Sequence, residues 1–287
     1  TNATSVTAAA LSDSGKYIML VQGGLSVSSD YGSTFVGRST GGQIHAVAMS
    51  ANGQFMCVAT SSDIYISTDY GSSFSANNAA GGGISWAGIC MDANGYYAYA
   101  VSTASVIYGC VRTSPSDSFT WTALASGETF TGINRIACSG TGKYLITGNG
   151  DDAITQYISS DFGATIAANS AIGSYAVYAC SISNTGQYMM CVNRQNGVPV
   201  ISSNFGQTWS TVAALPGTNY YGCAISRTGE QVYAYAPYTL YVYSASINTM
   251  SLTAPSNPGE GAMYFDLDTF TLHIYAGGAW RNLAFYT

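Results

Sequence analysis

Four phrases in this chain place the same side chains at the same spacing. They are Ser28, Asp30, Gly32, Thr34 and Phe35 in "SSDYGSTF", then Ser67, Asp69, Gly71, Ser73 and Phe74 in "STDYGSSF". Ser159, Asp161, Gly163 and Thr165 follow in "SSDFGATI", and Ser202, Asn204, Gly206, Thr208 and Trp209 in "SSNFGQTW". Carboxylates of this kind have two uses. Paired across a cleft they protonate and attack a glycosidic bond; on a turn they accept hydrogen bonds from backbone N–H groups two or three residues on. The phrase favours the second use. Its Gly supplies a left-handed backbone, its hydroxyls satisfy further turn groups, and its terminal aromatic is placed to plug the corner from beneath. Each copy reads as a stapled corner.

Other residues with chemistry to offer are scattered. Asp151-Asp152 in "GNGDDAIT" is the only conspicuous acidic pair and reads as a solvated turn, with a cation site as the sharper alternative. Of the eight basic residues, Lys16, Lys143 and Arg227 fall in or beside turns and read as solvated charge, whereas Arg112, Arg135 and Arg194 are the ones that could converge. His45 and His273 lie in strand-like runs, and no Ser or Cys occupies a nucleophile motif, so triad chemistry has no support. The Gly81–Gly83 run is followed by neither Lys-Ser/Thr nor a helical pattern and reads as a linker rather than a phosphate cradle. Seven cysteines (57, 90, 110, 138, 180, 191 and 223) sit in apolar runs without CxxC spacing. They read as buried free thiols, with no zinc site and no disulfide framework. No cofactor is implied.

Composition excludes whole classes of partner. Charged residues are 8% of the chain, against roughly 25% in ordinary soluble proteins, and the surface is hydrated by hydroxyls and amides instead. A net charge of −6 offers no counterion release to a polyanion, so nucleic acid is not an expected partner. No apolar run reaches the ~20 residues that a membrane-spanning helix needs. The opening "TNATSVTAAALS" has neither Met nor the basic and apolar regions of a leader, and its Asn2-Ala3-Thr4 is the one glycosylation sequon.

The elements that must carry the four phrases repeat as well. Six segments share one grammar: an apolar strand, a polar turn ending in Gly, a second and a third strand, then the phrase. The turn glycines are Gly15, Gly53, Gly95, Gly142, Gly186 and Gly229, at intervals of 38, 42, 47, 44 and 43 residues. That period suits one four-stranded blade of a β-propeller. The near-continuous apolar character of each first strand ("AVAMS", "GCAIS") predicts an innermost strand buried on both faces. Units three and six have drifted, ending in "SPSDSFTW" and "YTLYVYSAS". The expectation is an all-β chain: a six-bladed β-propeller of four-stranded antiparallel blades over residues 1–254, then a Pro-rich joint and a short β-meander over 255–287.

The pattern Ser-x-Asp-x-Gly-x-Thr-(Trp or Phe) resembles the Asp-box, the repeat of bacterial neuraminidases (sialidases) and related propellers, with Ile166 replacing the aromatic in the third copy. The resemblance implies a hairpin between the third and fourth strands of a blade, on its periphery and away from an axial site. It would also imply three arginines gripping a carboxylate and a Tyr–Glu nucleophile pair. The family's Phe-Arg-Ile-Pro motif is missing here, and nothing local marks the arginines, so sialidase chemistry is not expected.

After "TAPSNPGEG" the stretch "GAMYFDLDTFTLHIYAGGAWRNLAFYT" reads as three strands. Its Gly261, Met263, Tyr264, Phe265, Asp266, Leu272, Ile274, Tyr275, Gly277, Trp280 and Arg281 are similar to a short module of phage tail-fibre and large-virus virion proteins. A meander this short cannot bury its own core. Met263, Phe265, Leu272, Ile274, Tyr275 and Trp280 are therefore expected to pack on the propeller or on another subunit by strand addition. The resulting expectation is a non-enzymatic structural or assembly subunit of an extracellular or virion-type appendage. It would self-associate or join other appendage subunits through the meander. A glycan-binding adhesin is the alternative, and a glycoside hydrolase comes third.

Overall fold

In the computed structural model, residues 6–124, 130–149, 156–173, 175–195, 197–237 and 239–244 are described, together with the backbone of three strands near the C-terminus. Two compact units result, residues 1–242 and 243–287. The first is an all-β, six-bladed propeller, the predicted class. Each blade is an antiparallel sheet whose strands follow chain order. The second blade, for example, contains Ile44–Met49, Met56–Thr60, Ile64–Ser67 and Ser75–Ala76. The first five sheets have four strands; the sixth has three among the described residues, Gly222–Ile225, Gln231–Ala236 and Thr239–Ser244. Among the described residues helix is confined to two short 3-10 turns, Ala79–Gly81 and Ser170–Ile172.

Burial departs from expectation in one respect. The second strand, not the first, is the most deeply buried, with every residue of Met56–Thr60, Leu145–Gly148 and Met189–Val192 buried. The innermost strands are mostly half-buried, because they flank the axial opening, while the second strands lie between neighbouring sheets on both sides.

What spaces the blades is an aromatic ring laid on a glycine. Two residues after each turn glycine stand Tyr17, Phe55, Tyr97, Tyr144 and Tyr188, and each ring packs on the turn glycine of the next blade. A Cβ on Gly95 would lie 2.5 Å from Phe55, and one on Gly142 would lie 2.7 Å from Tyr97. These glycines also adopt φ of +74°, so they are required twice over, by backbone conformation and by ring approach. The sixth blade carries Gln231 at the ring position. Accordingly a Cβ on Gly15 of the first blade would meet nothing within 4 Å.

The second unit forms a three-stranded antiparallel sheet, Met263–Asp266, Thr271–Ala276 and Ala279–Leu283, as the sequence predicts. Its register pairs Met263 with Ile274, Phe265 with Leu272 and Tyr275 with Trp280.

Gly15 and Gly142 share a φ near +73°, which makes them a matched pair for a test. Gly15→Ala is expected to cost only the backbone term of about 1–2 kcal/mol. Gly142→Ala should cost several kcal/mol, since it must also displace the Tyr97 ring. Denaturant melts of the two variants provide the check, and equal losses would contradict the clamp.

Candidate functional site

The four repeated phrases form four nearly superimposable corners between the third and fourth strands. In the first, the Ser28 hydroxyl donates to Asp30 Oδ1 (2.7 Å) and accepts from Gly32 N (2.9 Å). Asp30 Oδ1 accepts from Thr34 N (2.9 Å) and Oδ2 from the Thr34 hydroxyl (2.6 Å). Ser67, Asp69, Gly71 and Ser73 repeat this pattern, as do Ser159, Asp161, Gly163 and Thr165. In the fourth corner Asn204 Oδ1 accepts from Thr208 N (2.9 Å), and its Nδ2 donates to the Thr208 hydroxyl (2.9 Å). The acidic groups therefore face their own main chain.

Those contacts set the acidity of the three carboxyls. The Thr34 hydroxyl and N–H, with Ser28, hold Asp30 down at about 2. At Asp69 and Asp161 slight burial pulls the pKa up, but hydroxyl and backbone donors from Ser73 and Ser67, and from Thr165 and Ser159, outweigh it and leave both below the ordinary carboxylate range.

Two features of the corners were not visible beforehand. The aromatic before each glycine, Tyr31, Tyr70, Phe162 or Phe205, is itself left-handed at φ of 60–61°. Three of these rings then stack on the preceding blade: Tyr70 on Tyr17 (5.0 Å), Phe162 on Tyr97 (4.8 Å) and Phe205 on Tyr144 (5.0 Å). The expected terminal plug is real only at Ile166, 3% exposed; Phe74 and Trp209 are half-buried, and Phe35 is 40% exposed. Phe35 has no preceding blade packed over it, which is why it stays open.

In the drifted third blade Arg112 replaces the stacking ring. It lies 4.2 Å from both Phe55 and Phe119, and donates to the carbonyls of Gly95 (2.8 Å), Pro115 (2.6 Å) and Asp117 (3.0 Å). Arg112 is thus a structural residue, remote from Arg135 and Arg194. The last two do converge, both over the Tyr178 ring at 5.4 and 4.8 Å, and Arg194 also lies 4.6 Å from Tyr221.

Two concavities stand among the described residues. One, of about 240 Å³, is the axial mouth at the ends of the inner strands and draws lining residues from all six blades. The residues two before each turn glycine form a belt around it. Asp13 N donates to Ala51 O (2.8 Å), Ala51 N to Ala93 O (2.8 Å), Ala93 N to Gly140 O (2.9 Å), and Asn184 N to Arg227 O (3.0 Å). The link from the sixth blade to the first is an Arg227–Asp13 ion pair instead; Arg227 is not merely a solvated turn charge. Asp92, also at this mouth, accepts from Tyr96 N (2.7 Å) and Tyr97 N (2.9 Å). Burial nevertheless raises its pKa above the ordinary value.

The other concavity, about 640 Å³, lies where the inner strands begin, between the first and fourth blades. Arg38, His45 and Arg135 are its charged or titratable lining, beside Gly23, Gly24 and Gln43. Arg38 Nε donates to Gly71 O (2.5 Å). His45 Nδ1 lies 2.6 Å from Trp86 O, so that nitrogen carries a proton and donates. The arrangement can hold hydroxyls or an anionic group by hydrogen bonds.

Asp151, Asp152 and Glu128 lie outside the described residues, as do the side chains of Met263, Phe265, Leu272, Ile274, Tyr275 and Trp280. All seven cysteines are free thiols; burial pushes Cys180 up to about 12 and Cys110 to about 11. Among the described residues no three His, Cys, Asp or Glu side chains gather as a metal site. No described helix is long and apolar enough to cross a membrane.

No protein-family model matches the chain, and no curated protein matches it. Solved structures do. A chain of the mitotic checkpoint complex matches with TM-score 0.62 and 13% identity, over 85% of this chain and 76% of that one. The β-propeller domain of Myceliophteria thermophila Cps50 (Swd1) matches with TM-score 0.60 and 12% identity, over 84% and 82%. A GH74 xyloglucanase from Xanthomonas campestris matches with TM-score 0.61 and 14% identity, over 84% of this chain and 45% of that one. The chain thus spans less than half of the xyloglucanase. At such identities the likeness shows the β-propeller fold alone.

A carboxylate whose folded pKa lies below its unfolded value stabilises the fold above about pH 4 and loses that contribution as pH falls toward 2. The melting temperature should therefore drop through this window. A D30N/D69N/D161N variant, in which every corner resembles that of Asn204, should lose most of the drop. An unchanged pH profile in the variant would contradict the staple assignment.

Proposed function

We propose that this chain is a non-enzymatic assembly subunit of an extracellular or virion-type appendage, a fibre or filament built on an Asp-box propeller. The observation that carries this reading is the placement of exposed apolar surface. Nine of the thirteen exposed large apolar side chains among the described residues stand on the first and last blades. Clustered apolar exposure marks an interaction surface. The C-terminal sheet, with its resemblance to tail-fibre and virion modules, supports the same reading. So does the low charge of the chain, since little repulsion opposes close packing of copies.

The cleft of Arg38, His45 and Arg135 favours a second reading, an adhesin that binds a glycan in an enzyme-free propeller. Planar guanidinium groups, glycine backbone and the neighbouring Tyr178 and Tyr221 suit a polyhydroxylated ligand.

Electron microscopy and light scattering of the full chain separate the two. Ordered polymers growing with concentration are the expected result, together with an empty glycan array. A protein that stays monomeric at its highest soluble concentration and retains a glycan would overturn the first reading in favour of the second.

A further inference from the structure

Consecutive blades meet through one recurring contact between their inner strands. The last residue of each inner strand faces back to the preceding blade, and the residue before it faces forward to the next. Ala10 thus shares a core cluster with Met49, Ala48 with Met91 and Ala137 with Ile182. Between the fifth and sixth blades the Ser181 hydroxyl accepts from Ile225 N at 3.0 Å. These four interfaces set Ala or Ser against Met or Ile. Between the third and fourth blades the same two positions are Cys90 and Cys138, which share a cluster with Tyr99, Ile136 and Leu145. Both are free thiols.

The strands that carry the two thiols are held close on either side of them. Before them, a Cβ on Gly88 would lie 3.4 Å from Arg135 Cα. Beyond them, Ala93 N donates to Gly140 O at 2.9 Å. The Ser181–Ile225 contact shows that at this position a side chain one atom beyond Cβ reaches the main chain of the next strand. Disulfides span Cα separations of about 4.4–6.8 Å, which strands this close provide. Access differs between the two sulfurs: Cys138 lines the axial mouth of about 240 Å³, and Cys90 stands behind it in the interface. A small oxidant entering that mouth meets Cys138 first. Cys180 and Cys191 are also neighbours, paired across the first two strands of the fifth blade. Cys180, however, donates to the Ile146 carbonyl (3.7 Å), and neither residue lines the mouth.

We propose that Cys90 and Cys138 are an oxidation site, at which hydrogen peroxide drives a disulfide that staples the third blade to the fourth. The Cys138 sulfur, as thiolate, attacks one peroxide oxygen. The O–O bond breaks, the other oxygen leaves as water with the proton the thiol gave up, and Cys138 becomes a sulfenic acid. The Cys90 sulfur then attacks the Cys138 sulfur. The S–O bond breaks, the S–S bond forms, and the hydroxyl leaves with the Cys90 proton as a second water. Two thiols are oxidised and one peroxide is reduced to two waters. Burial and the adjoining Cys138 thiol raise Cys90 well above the usual thiol range, so it keeps its proton until the sulfenic acid stands beside it. The closed loop, residues 90 to 138, restricts the unfolded chain and so stabilises the fold. The staple forms when the folded chain leaves a reducing compartment, and it does not depend on the assembly reading.

The test treats the reduced full chain with hydrogen peroxide under native conditions, alkylates the remaining thiols and maps the peptides by mass spectrometry. A Cys90–Cys138 bond is expected, with the other five cysteines alkylated. The melting temperature should rise by about 5–10 °C and fall back on addition of dithiothreitol. Cys90→Ala places there the residue that the first, second and fourth blades already carry, so it should fold. In that variant Cys138 should stop at the sulfenic acid and be trapped by dimedone, with no rise in melting temperature. A parent that keeps all seven thiols, a parent in which Cys138 is oxidised while Cys90 stays alkylatable, or a bond mapped to Cys180–Cys191 or any other pair would overturn the proposal. So would a Cys90–Cys138 bond that leaves the melting temperature unchanged.

Discussion

The propeller depends on one close approach: a ring of one blade resting on the turn glycine of the next. It recurs at Tyr17, Phe55, Tyr97, Tyr144 and Tyr188, and the rest of the architecture serves it. Hydrogen bonds of the repeated phrase hold Tyr70, Phe162 and Phe205 at a left-handed φ, a conformation that costs about 1–2 kcal/mol for a non-glycine residue. Each corner offsets this with several hydrogen bonds worth about 1 kcal/mol apiece. The result is a ring in contact with both a turn glycine and an aromatic of the next blade. Where the phrase has drifted, Arg112 occupies the same place between Phe55 and Phe119, which indicates that the covered ring, not the phrase, is the conserved physical requirement from blade to blade.

A single departure then has a large consequence. Gln231 does not cover Gly15, and among the described residues the Arg227–Asp13 ion pair joins the sixth and first blades. An exposed pair of this kind contributes about 0–1 kcal/mol, far less than a buried aromatic contact.

Much of the fold was legible in the sequence because its signals are local. Six turn glycines and four phrases mark blade boundaries within a few residues each, and the three C-terminal strands follow from alternation and turn residues. What was not legible depends on residues about forty positions apart. That Tyr17 needs Gly53, or that Arg135 and Arg194 meet over Tyr178 while Arg112 does not, becomes visible only when neighbouring blades are placed. The burial of second strands rather than first ones was missed for a related reason: apolar composition alone does not distinguish a strand beside the axial opening from one enclosed by two sheets. The candidate cleft of Arg38, His45 and Arg135 gathers residues from three blades and carried no local motif.

Site-resolved amide hydrogen exchange on the dilute monomer tests the central claim most directly. If covered rings lock the blades, amides of 8–11 and 222–225 should exchange well before those of 86–91 and 135–138, which flank an interface with the clamp. Uniform protection of all six inner strands, or earliest exchange at the third and fourth blades, would contradict the account.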